Sequence, residues 1–430
     1  MSRYFSTLVR AGPYPGLRVN QTLFTIATTM GVITGLVALL VVVSRARADF
    51  ENRVWGRRRR VLSRRIDAYL RGERLGVGDA LGHGISRRDL SLAEEILLRR
   101  IHAGDEAELG PLVRAFEELG LVSRYLEKLM RGGWWHRAEA AEGLGLARAS
   151  RAQPALARAL EDEHPEVRFR AARALGQVGD AEVMPALVLA LNRPELVSTI
   201  RMANVLVSMG PSVIGAIVAV FDELEPRARI AALDVLSVVA SVEDCVWIRE
   251  RLNDADPNIR SRAAKALGAI GDLFAGPALV RALQDPEWPV RAVAAKSLAA
   301  LRYAPAVPEL CDALRDSQWW VRANAAESLR RIGPVGLAAL ESMLEDSDAY
   351  ARHQAVFILE EAGVLDDRVE DLFSASNRRR GKSRKFVDRV VESGQCARLM
   401  ELAEAHPDVQ VRAFLAHALE RDPVEAGLHP

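Results

Sequence analysis

The feature that most constrains this chain is a repeat of about 31 residues that starts past residue 130. Similar strings recur as WWHRAEAAEGLG from Trp134, PEVRFRAARALG from Pro165, PNIRSRAAKALG from Pro257, WPVRAVAAKSLA from Trp288, WWVRANAAESLR from Trp319 and AYARHQAVFILE from Ala349. One arginine marks the register, at Arg137, Arg168, Arg229, Arg260, Arg291, Arg322 and Arg352, with an echo at Arg412. From Arg229 the intervals are 31, 31, 31 and 30, and the gap of 61 before it leaves room for one degenerate unit around Arg201. A second degenerate unit is expected near 375–395. No such unit can cover its own apolar faces, so consecutive units must stack.

Each unit divides into two helical stretches. In the clearest, Asp285-Pro286 reads as an N-cap with proline at the first helical position. Val290, Ala294, Ala295 and Leu298 then hold one apolar face. A break at Tyr303 to Ala306 precedes a second helix with Val307, Leu310, Cys311 and Leu314 inward. The pattern D-P-x-x-x-V-R-x-x-A-A-x-x-L-G, followed by a second helix ending in A-L, resembles the short HEAT repeat, specifically the phycobilisome-lyase-type subfamily. The resemblance covers about residues 132 to 370, with weaker units to about 421. It implies an all-α solenoid of about eight to ten helix pairs spanning 132–421, with residues 76–131 capping or beginning the array and 422–430 as a tail. Such proteins serve mostly as scaffolds and adaptors.

Six residues before the shared arginine stands an acid in most units: Asp162, Glu223, Asp254, Asp285, Asp316 and Asp346. The resemblance implies that these acids and Arg168, Arg260, Arg291, Arg322 and Arg352 form a structural ladder between consecutive repeats. Bulky aromatics also keep register. Trp134, Trp135, Trp288, Trp319, Trp320 and Tyr350 fall two or three residues before the arginine, which places them along one edge. They read either as anchors for a protein partner, a typical use of Trp and Tyr, or as covers for the loops of neighbouring repeats.

The N-terminal part has a different chemistry. From Val19 to Ser44 no residue is charged, and about 20 apolar residues suffice to span a bilayer. We assign a short terminus to 1–21, a transmembrane helix to 22–43 and a basic juxtamembrane helix to 44–75. Three arginines precede the span and nine follow it up to position 65, which puts the C-terminal side in the cytoplasm of an inner-membrane, single-pass protein with its N-terminus outside. The competing reading is a cleaved signal peptide ending at Ala46-Arg47-Ala48. Gly31 and Gly35 form a GxxxG pair suited to a homodimer, although glycine is also common in membrane helices.

The formal net charge of +1 hides a separation: residues 1–43 carry +3, residues 44–75 carry +7, and the remainder carries −9. The juxtamembrane residues Arg57, Arg58, Arg59, Arg60, Arg64 and Arg65 are candidates for anionic lipid headgroups. Nucleic acid is a poorer fit, since no global basic field exists. A second basic run, Arg378, Arg379, Arg380, Lys382, Arg384 and Lys385, reads as a loop open to lipid, nucleic acid or an acidic partner, or as a solvated insert.

Catalytic signatures are missing from the sequence. Deoxyhypusine hydroxylases, which the array resembles in fold, use paired His-Glu dipeptides, and none of the eight histidines here precedes a glutamate. Phycobilin lyases are closer in repeat sequence and leave open a lyase-like role with a tetrapyrrole or similar ligand. Gly381-Lys382-Ser383 lacks the upstream glycine of a phosphate loop, since position 376 is Ser376. Gly76, Gly78, Gly82 and Gly84 read as a hinge, and Ser91 with Glu94 as a capping box. Helices are expected at 111–119 and 121–130, set off by Gly110-Pro111 and Gly120. Cys245, Cys311 and Cys396 lack the spacing of a disulfide framework or metal site. No catalytic residue, cofactor or metal is therefore assigned. The chain reads as a membrane-anchored, cytoplasmic adaptor for another protein, or as a self-associating scaffold.

Overall fold

A computed structural model of the chain describes residues 15–73, 76–81, 86–104, 106–179, 181–193 and 196–420. Among them every regular element is helical, and the chain divides into two compact units, Met1–Glu127 and Lys128–Pro430.

In the first unit, α1 (Pro15–Leu70) is one unbroken helix of 56 residues, about 84 Å long at 1.5 Å per residue. No helix end separates the stretches assigned to span and juxtamembrane segment. Thr28–Arg45 has a mean hydropathy of 1.8 and is entirely exposed. It is long and apolar enough to cross a membrane, a property a signal sequence shares. Further on, Leu62, Ile66 and Tyr69 are buried at i, i+4 and i+7. That stripe turns the basic end of α1 onto α2 (Val77–Leu81), α3 (Arg87–Ala103) and α4 (Glu106–Glu118).

Three local expectations change here. The glycine hinge is interrupted by α2, whose Val77 and Leu81 are buried; Gly82 and Gly84 lie outside the described residues. Helix α3 starts before Ser91: Ser86 is its N-cap, accepting a hydrogen bond from the Asp89 backbone N–H at 3.2 Å. Ser91 instead donates to the Arg87 carbonyl within the helix, and Glu94 takes the hydroxyl of Tyr125 and an ion pair from Arg124. Pro111 does not begin a helix, since α4 starts earlier at Glu106; Gly120, at φ +70°, separates α4 from α5 (Leu121–Arg131).

The second unit is a right-through series of helix pairs. Its first-position helices are α6 (Trp134–Leu146), α8 (Pro165–Val178), α10 (Leu196–Ser208), α12 (Pro226–Val239) and α14 (Pro257–Ile270). Then come α16 (Trp288–Leu301), α18 (Trp319–Ile332), α20 (Ala349–Glu361), α22 (Asn377–Glu392) and α24 (Val409–Glu420). Between them lie the second-position helices α7 (Gln153–Ala159), α9 (Met184–Leu189), α11 (Ile214–Val220), α13 (Cys245–Glu250) and α15 (Gly276–Ala282). The same series continues with α17 (Val307–Ala313), α19 (Pro334–Met343), α21 (Val364–Glu370) and α23 (Ala397–Ala405).

The repeat determines the core. Leu144, Leu175, Leu206, Leu236, Leu267, Leu298, Leu329 and Leu359 occupy one position of successive first helices, and all are buried. Each contributes about 1.5–3 kcal/mol relative to exposure. First helices pack on first helices of the next unit, from α6 on α8 through α18 on α20. Small residues set that distance. A Cβ on Gly268 would stand 2.7 Å from the Ser297 Cβ, and one on Gly145 2.5 Å from the Ala174 Cα. Helix α16 begins at Trp288 with Glu287 as N-cap and Pro289 in its first turn, so the sequence reading of Asp285-Pro286 is two to three residues early. The cause is a turn: the Asp285 carboxylate accepts from the Glu287 backbone N–H at 2.9 Å and orders the loop ahead of the helix.

Candidate functional site

The loops entering the first helices gather most of the sequence-marked residues. Arg291 spans two of them. Its Nε and Nη2 donate to the Asp316 carboxylate at 2.6 and 3.0 Å, and its Nη1 donates to the Asp285 and Pro286 carbonyls at 2.8 and 3.0 Å. Arg260 repeats this with Asp285 at 2.7 and 2.8 Å and with the Asp254 and Ala255 carbonyls. Arg137 does so with Asp162 at 2.7 and 2.8 Å. The geometry is a planar fork on a carboxylate 25 residues downstream.

Burial alone would raise the carboxyls of Asp162, Asp285 and Asp316. The arginine forks, the backbone N–H two residues on and the nearby positive charge outweigh it and hold them below the usual range. For Asp346 the Arg315 hydrogen bond is the leading influence, and that carboxyl is lowered too.

Other arginines of the marked register turn to backbone carbonyls. Arg168 donates to the Asp162 and Glu163 carbonyls at 3.0 and 3.1 Å, and position 193, where the next acid falls due, is Arg193. Arg322 donates to the Asp316 and Ser317 carbonyls, and Arg352 to those of Asp346 and Ser347. Asp346, one residue short of the 25-residue spacing, is held by Arg315. Asp254 lies within 3.9 Å of Arg251, while Arg229 turns to the Asp222 and Leu224 carbonyls. Two residues that sequence reasoning missed fill the same role. Thr199, 31 residues after Arg168, donates to the Arg193 carbonyl at 3.1 Å, and Arg380 donates to the Ser374 carbonyl at 3.1 Å. The period pointed to Thr199; Arg201 instead pairs with Glu166 and lies 3.7 Å from the Phe169 ring centroid.

The aromatic positions lie at the starts of the same helices. Trp135 is 57%, Trp319 54%, Trp320 58% and Tyr350 64% exposed, with Trp134 and Trp288 less so. Trp134 stacks on His164 of the next unit at 4.0 Å and meets Trp135 edge-on. Trp319 and Trp320 meet edge-on at 4.8 Å, and the Arg322 guanidinium lies 4.6 Å from the Tyr350 ring centroid. The edge thus covers neighbouring residues at Trp134 and Tyr350 and still leaves broad ring surface in solvent.

Arg378 to Lys385 do not form a loop: they lie within α22, capped by Ser376. An apolar face with Phe386, Val387, Val390 and Val391 drives that helix into the core, and Ser383 is buried with them. Arg378, Arg379, Lys382 and Lys385 remain exposed, while Arg384 lies 5.4 Å from the Phe414 ring centroid. Of the arginines at the basic end of α1, Arg58 pairs with Asp89 at 3.3 Å, Arg59 with Glu95 at 2.7 Å, and Arg65 donates to the Leu81 carbonyl at 2.9 Å. Arg60 bonds to the Gly56 carbonyl of its own helix. Arg57 and Arg64 are exposed and make no ion pair among the described residues. Gly31 and Gly35 face open space, with nothing within 4 Å.

For small-molecule chemistry the second unit offers a cavity of about 20 Å³ beside Arg168, Phe169 and Met202, room for one water. It also has an open groove of about 580 Å³ lined by Leu129, Met130, Arg137, Arg158 and Asp162. Burial, then nearby carboxylates, push the Cys245 and Cys311 thiols up to about 11, so both stay protonated near neutrality. Among the described residues no three His, Cys, Asp or Glu side chains converge on a metal position.

The comparisons with known proteins follow the same architecture. The family model described as HEAT repeats matches residues 124–205, 215–299 and 276–360, together more than half of the chain. A search of curated proteins gives no match. Among solved structures the chain is similar to an engineered protein, with a TM-score of 0.33 at 18% identity over 70% of this chain and 98% of that one. It is also similar to Kap121p bound to Pho4p, with a TM-score of 0.43 at 14% identity over 84% of this chain and 49% of that one. This chain therefore spans about half the length of Kap121p. With successive helix pairs, a leucine column at the repeat period and the family model matched across three segments, the chain belongs to the HEAT-repeat family.

Proposed function

We propose that this chain is a membrane-anchored adaptor whose HEAT solenoid presents its aromatic edge to another protein. The observation that carries this reading is the exposure of Trp135, Trp319, Trp320 and Tyr350 at two adjacent repeat positions. Large rings in water are costly to maintain and are typical binding anchors. The apolar window Thr28–Arg45 supports anchoring, and the excess of arginine after it supports a cytoplasmic solenoid. Arg57 and Arg64 are the juxtamembrane arginines best placed to meet anionic headgroups, because their charges are not spent inside the protein. The repeat motif supports membership of the phycobilisome-lyase-type subfamily, and Gly31 with Gly35 supports pairing of two copies in the bilayer.

The test is capture of partners by the tagged full-length chain from gently solubilised membranes, beside the Trp319→Ala/Trp320→Ala variant. The adaptor reading expects a stoichiometric protein that the variant loses while its melting temperature stays unchanged. Recovery of the chain alone, with a visible absorbance band in the purified protein, would replace it with the small-molecule reading. Recovery of the chain alone as a dimer without such a band would replace it with the self-associating scaffold.

A further inference from the structure

The charges around the aromatic edge restrict what it can hold. Its cations are already used. Arg260 and Arg291 are forked onto Asp285 and Asp316, Arg315 is bound to Asp346 and Asp312, and Arg322 and Arg352 are turned into loop carbonyls. The acids are only partly used. Among the described residues Glu287, beside Trp288, is exposed and makes no ion pair, and Asp256 and Asp348, half-buried, accept only from backbone or amide N–H groups at the starts of their helices. Glu287 does feel Arg260 and Arg291, but those two charges are already neutralised by closer carboxylates. Among the described residues an incoming anion would find no cation that is not already engaged, whereas a cation finds carboxylates without an ion pair beside indole faces. Trp288, Trp319 and Trp320 have no cation over them among the described residues, while Tyr350 already carries the Arg322 guanidinium.

The spacing adds a register. The forks join the loops before α14, α16 and α18, and packed helices usually lie about 8–10 Å apart, which sets the approximate step from one loop to the next. An extended polypeptide rises about 3.3 Å per residue, so about three residues cross one repeat. Resting on the adaptor reading, we infer that the segment of edge formed by Asp256, Glu287, Trp288, Trp319, Trp320 and Asp348 docks an extended cationic stretch of the partner polypeptide. Arginine or lysine at about every third residue places each charge between a carboxylate and an indole face, where the ring quadrupole attracts a cation.

The experiment uses the full-length chain in nonionic detergent and fluorescent peptides of equal length: one with arginine at every third position, one with the same arginines clustered at an end, and one with glutamate in their place. Anisotropy is expected to show binding of the spaced arginine peptide that weakens with salt. The clustered peptide should bind less tightly and the glutamate peptide not at all. Glu287→Gln/Asp348→Asn should bind the spaced peptide about tenfold more weakly, and asparagine at 348 preserves the helix cap. Unchanged affinity in that variant, or equal binding of the glutamate peptide, overturns the inference. The two readings fail separately. A captured partner that depends on Trp319 and Trp320 but is not displaced by the spaced peptide overturns the cationic segment and leaves the adaptor standing. Tight peptide binding without any captured partner supports the cationic site and removes the adaptor.

Discussion

Replacing Arg291 by alanine tests whether the forks hold the array together. The side chain is 16% exposed and its acceptor Asp316 12%, so both charges are largely out of water. Alanine removes two bonds to the carboxylate and two to loop carbonyls, and leaves Asp316 with the Gln318 backbone N–H at 2.8 Å. Hydrogen bonds to charged groups contribute about 1.5–3 kcal/mol, and leaving one partner of a buried pair uncompensated costs about 3–5 kcal/mol. Water reaches this loop in part, so the expected loss is about 2–4 kcal/mol. Unfolding entropy near 60 °C is about 2.1 cal/mol/K per residue, or about 0.6 kcal/mol/K for roughly 300 residues. The melting temperature should therefore fall by about 3–6 °C if the unit unfolds as one. Calorimetry reads that shift, and hydrogen exchange should show lost protection concentrated in α16 and α18, since a stacked repeat couples to its neighbours. Lysine at 291, with a point charge instead of a fork, should fall between wild type and alanine. Lys296→Ala, an exposed position on the same helix, should stay within about 0.5 kcal/mol. A double-mutant cycle with Asp316→Asn should give a coupling of at least about 1 kcal/mol. Additive losses in the cycle, or a shift for Arg291→Ala no larger than that of Lys296→Ala, would refute the reasoning.

Acid should act on the same rungs. Asp162, Asp285, Asp316 and Asp346 are lowered in the folded chain, so the unfolded chain binds protons first and their contribution is complete above the ordinary carboxylate value near 3.9. It is lost as pH falls through the lowered folded values; a melting temperature that stays level from pH 6 to pH 3 would contradict this. Gly268→Ala drives a Cβ against Ser297 and should cost about 1–3 kcal/mol, read by chemical denaturation, with Ser297→Gly restoring part of it. Leu298→Ala opens the centre of the leucine column and should cost about 2–5 kcal/mol. For the membrane face, Arg57→Gln/Arg64→Gln should weaken the interaction of the reconstituted chain with anionic lipid more than Arg58→Gln/Arg59→Gln does, as measured by headgroup-selective quenching. The opposite order would show that the ion pairs with Asp89 and Glu95 open at the bilayer.

What the sequence made legible follows from period. A residue type repeated every 31 positions reports a place that every unit must fill in the same way, which is why the helix pairs and the inward face of Val290, Ala294, Ala295 and Leu298 are legible in the sequence, while the full leucine column emerges in the structure. The pairing within the loops was less readable, because a fork needs an acid 25 residues downstream and a loop of matching length as well. Asp346 fails by one residue and is taken by Arg315; Arg229 has Asp254 at the right distance in sequence and still turns to its own loop. Arg380 was hidden inside a basic run that composition alone marks as solvent-loving. Its neighbours Phe386, Val387 and Val390 are the signal that the run is the first turns of an amphipathic helix. The capping box at Ser91 misled for a related reason: Ser86 and Asp89 offer the same chemistry five residues earlier, and sequence alone does not rank two caps in one stretch.

The ladder and the aromatic edge are consequences of one another. A solenoid must connect each unit to the next through loops too short to bury much apolar surface, so the connection falls to charge-assisted hydrogen bonds. Arg260 and Arg291 are thereby drawn largely out of water, and the acids that receive them with them. Among the side chains left facing water on these loops are some the ladder does not need: Glu287 and the rings of Trp288, Trp319 and Trp320. An acidic, ring-bearing strip is the expected remainder once the cations have been consumed by the fold. If the strip docks a cationic segment as inferred, changing Glu287 should move its ligand preference at little cost in stability, whereas changing Asp285 or Asp316 should cost stability, because their carboxylates belong to the rungs.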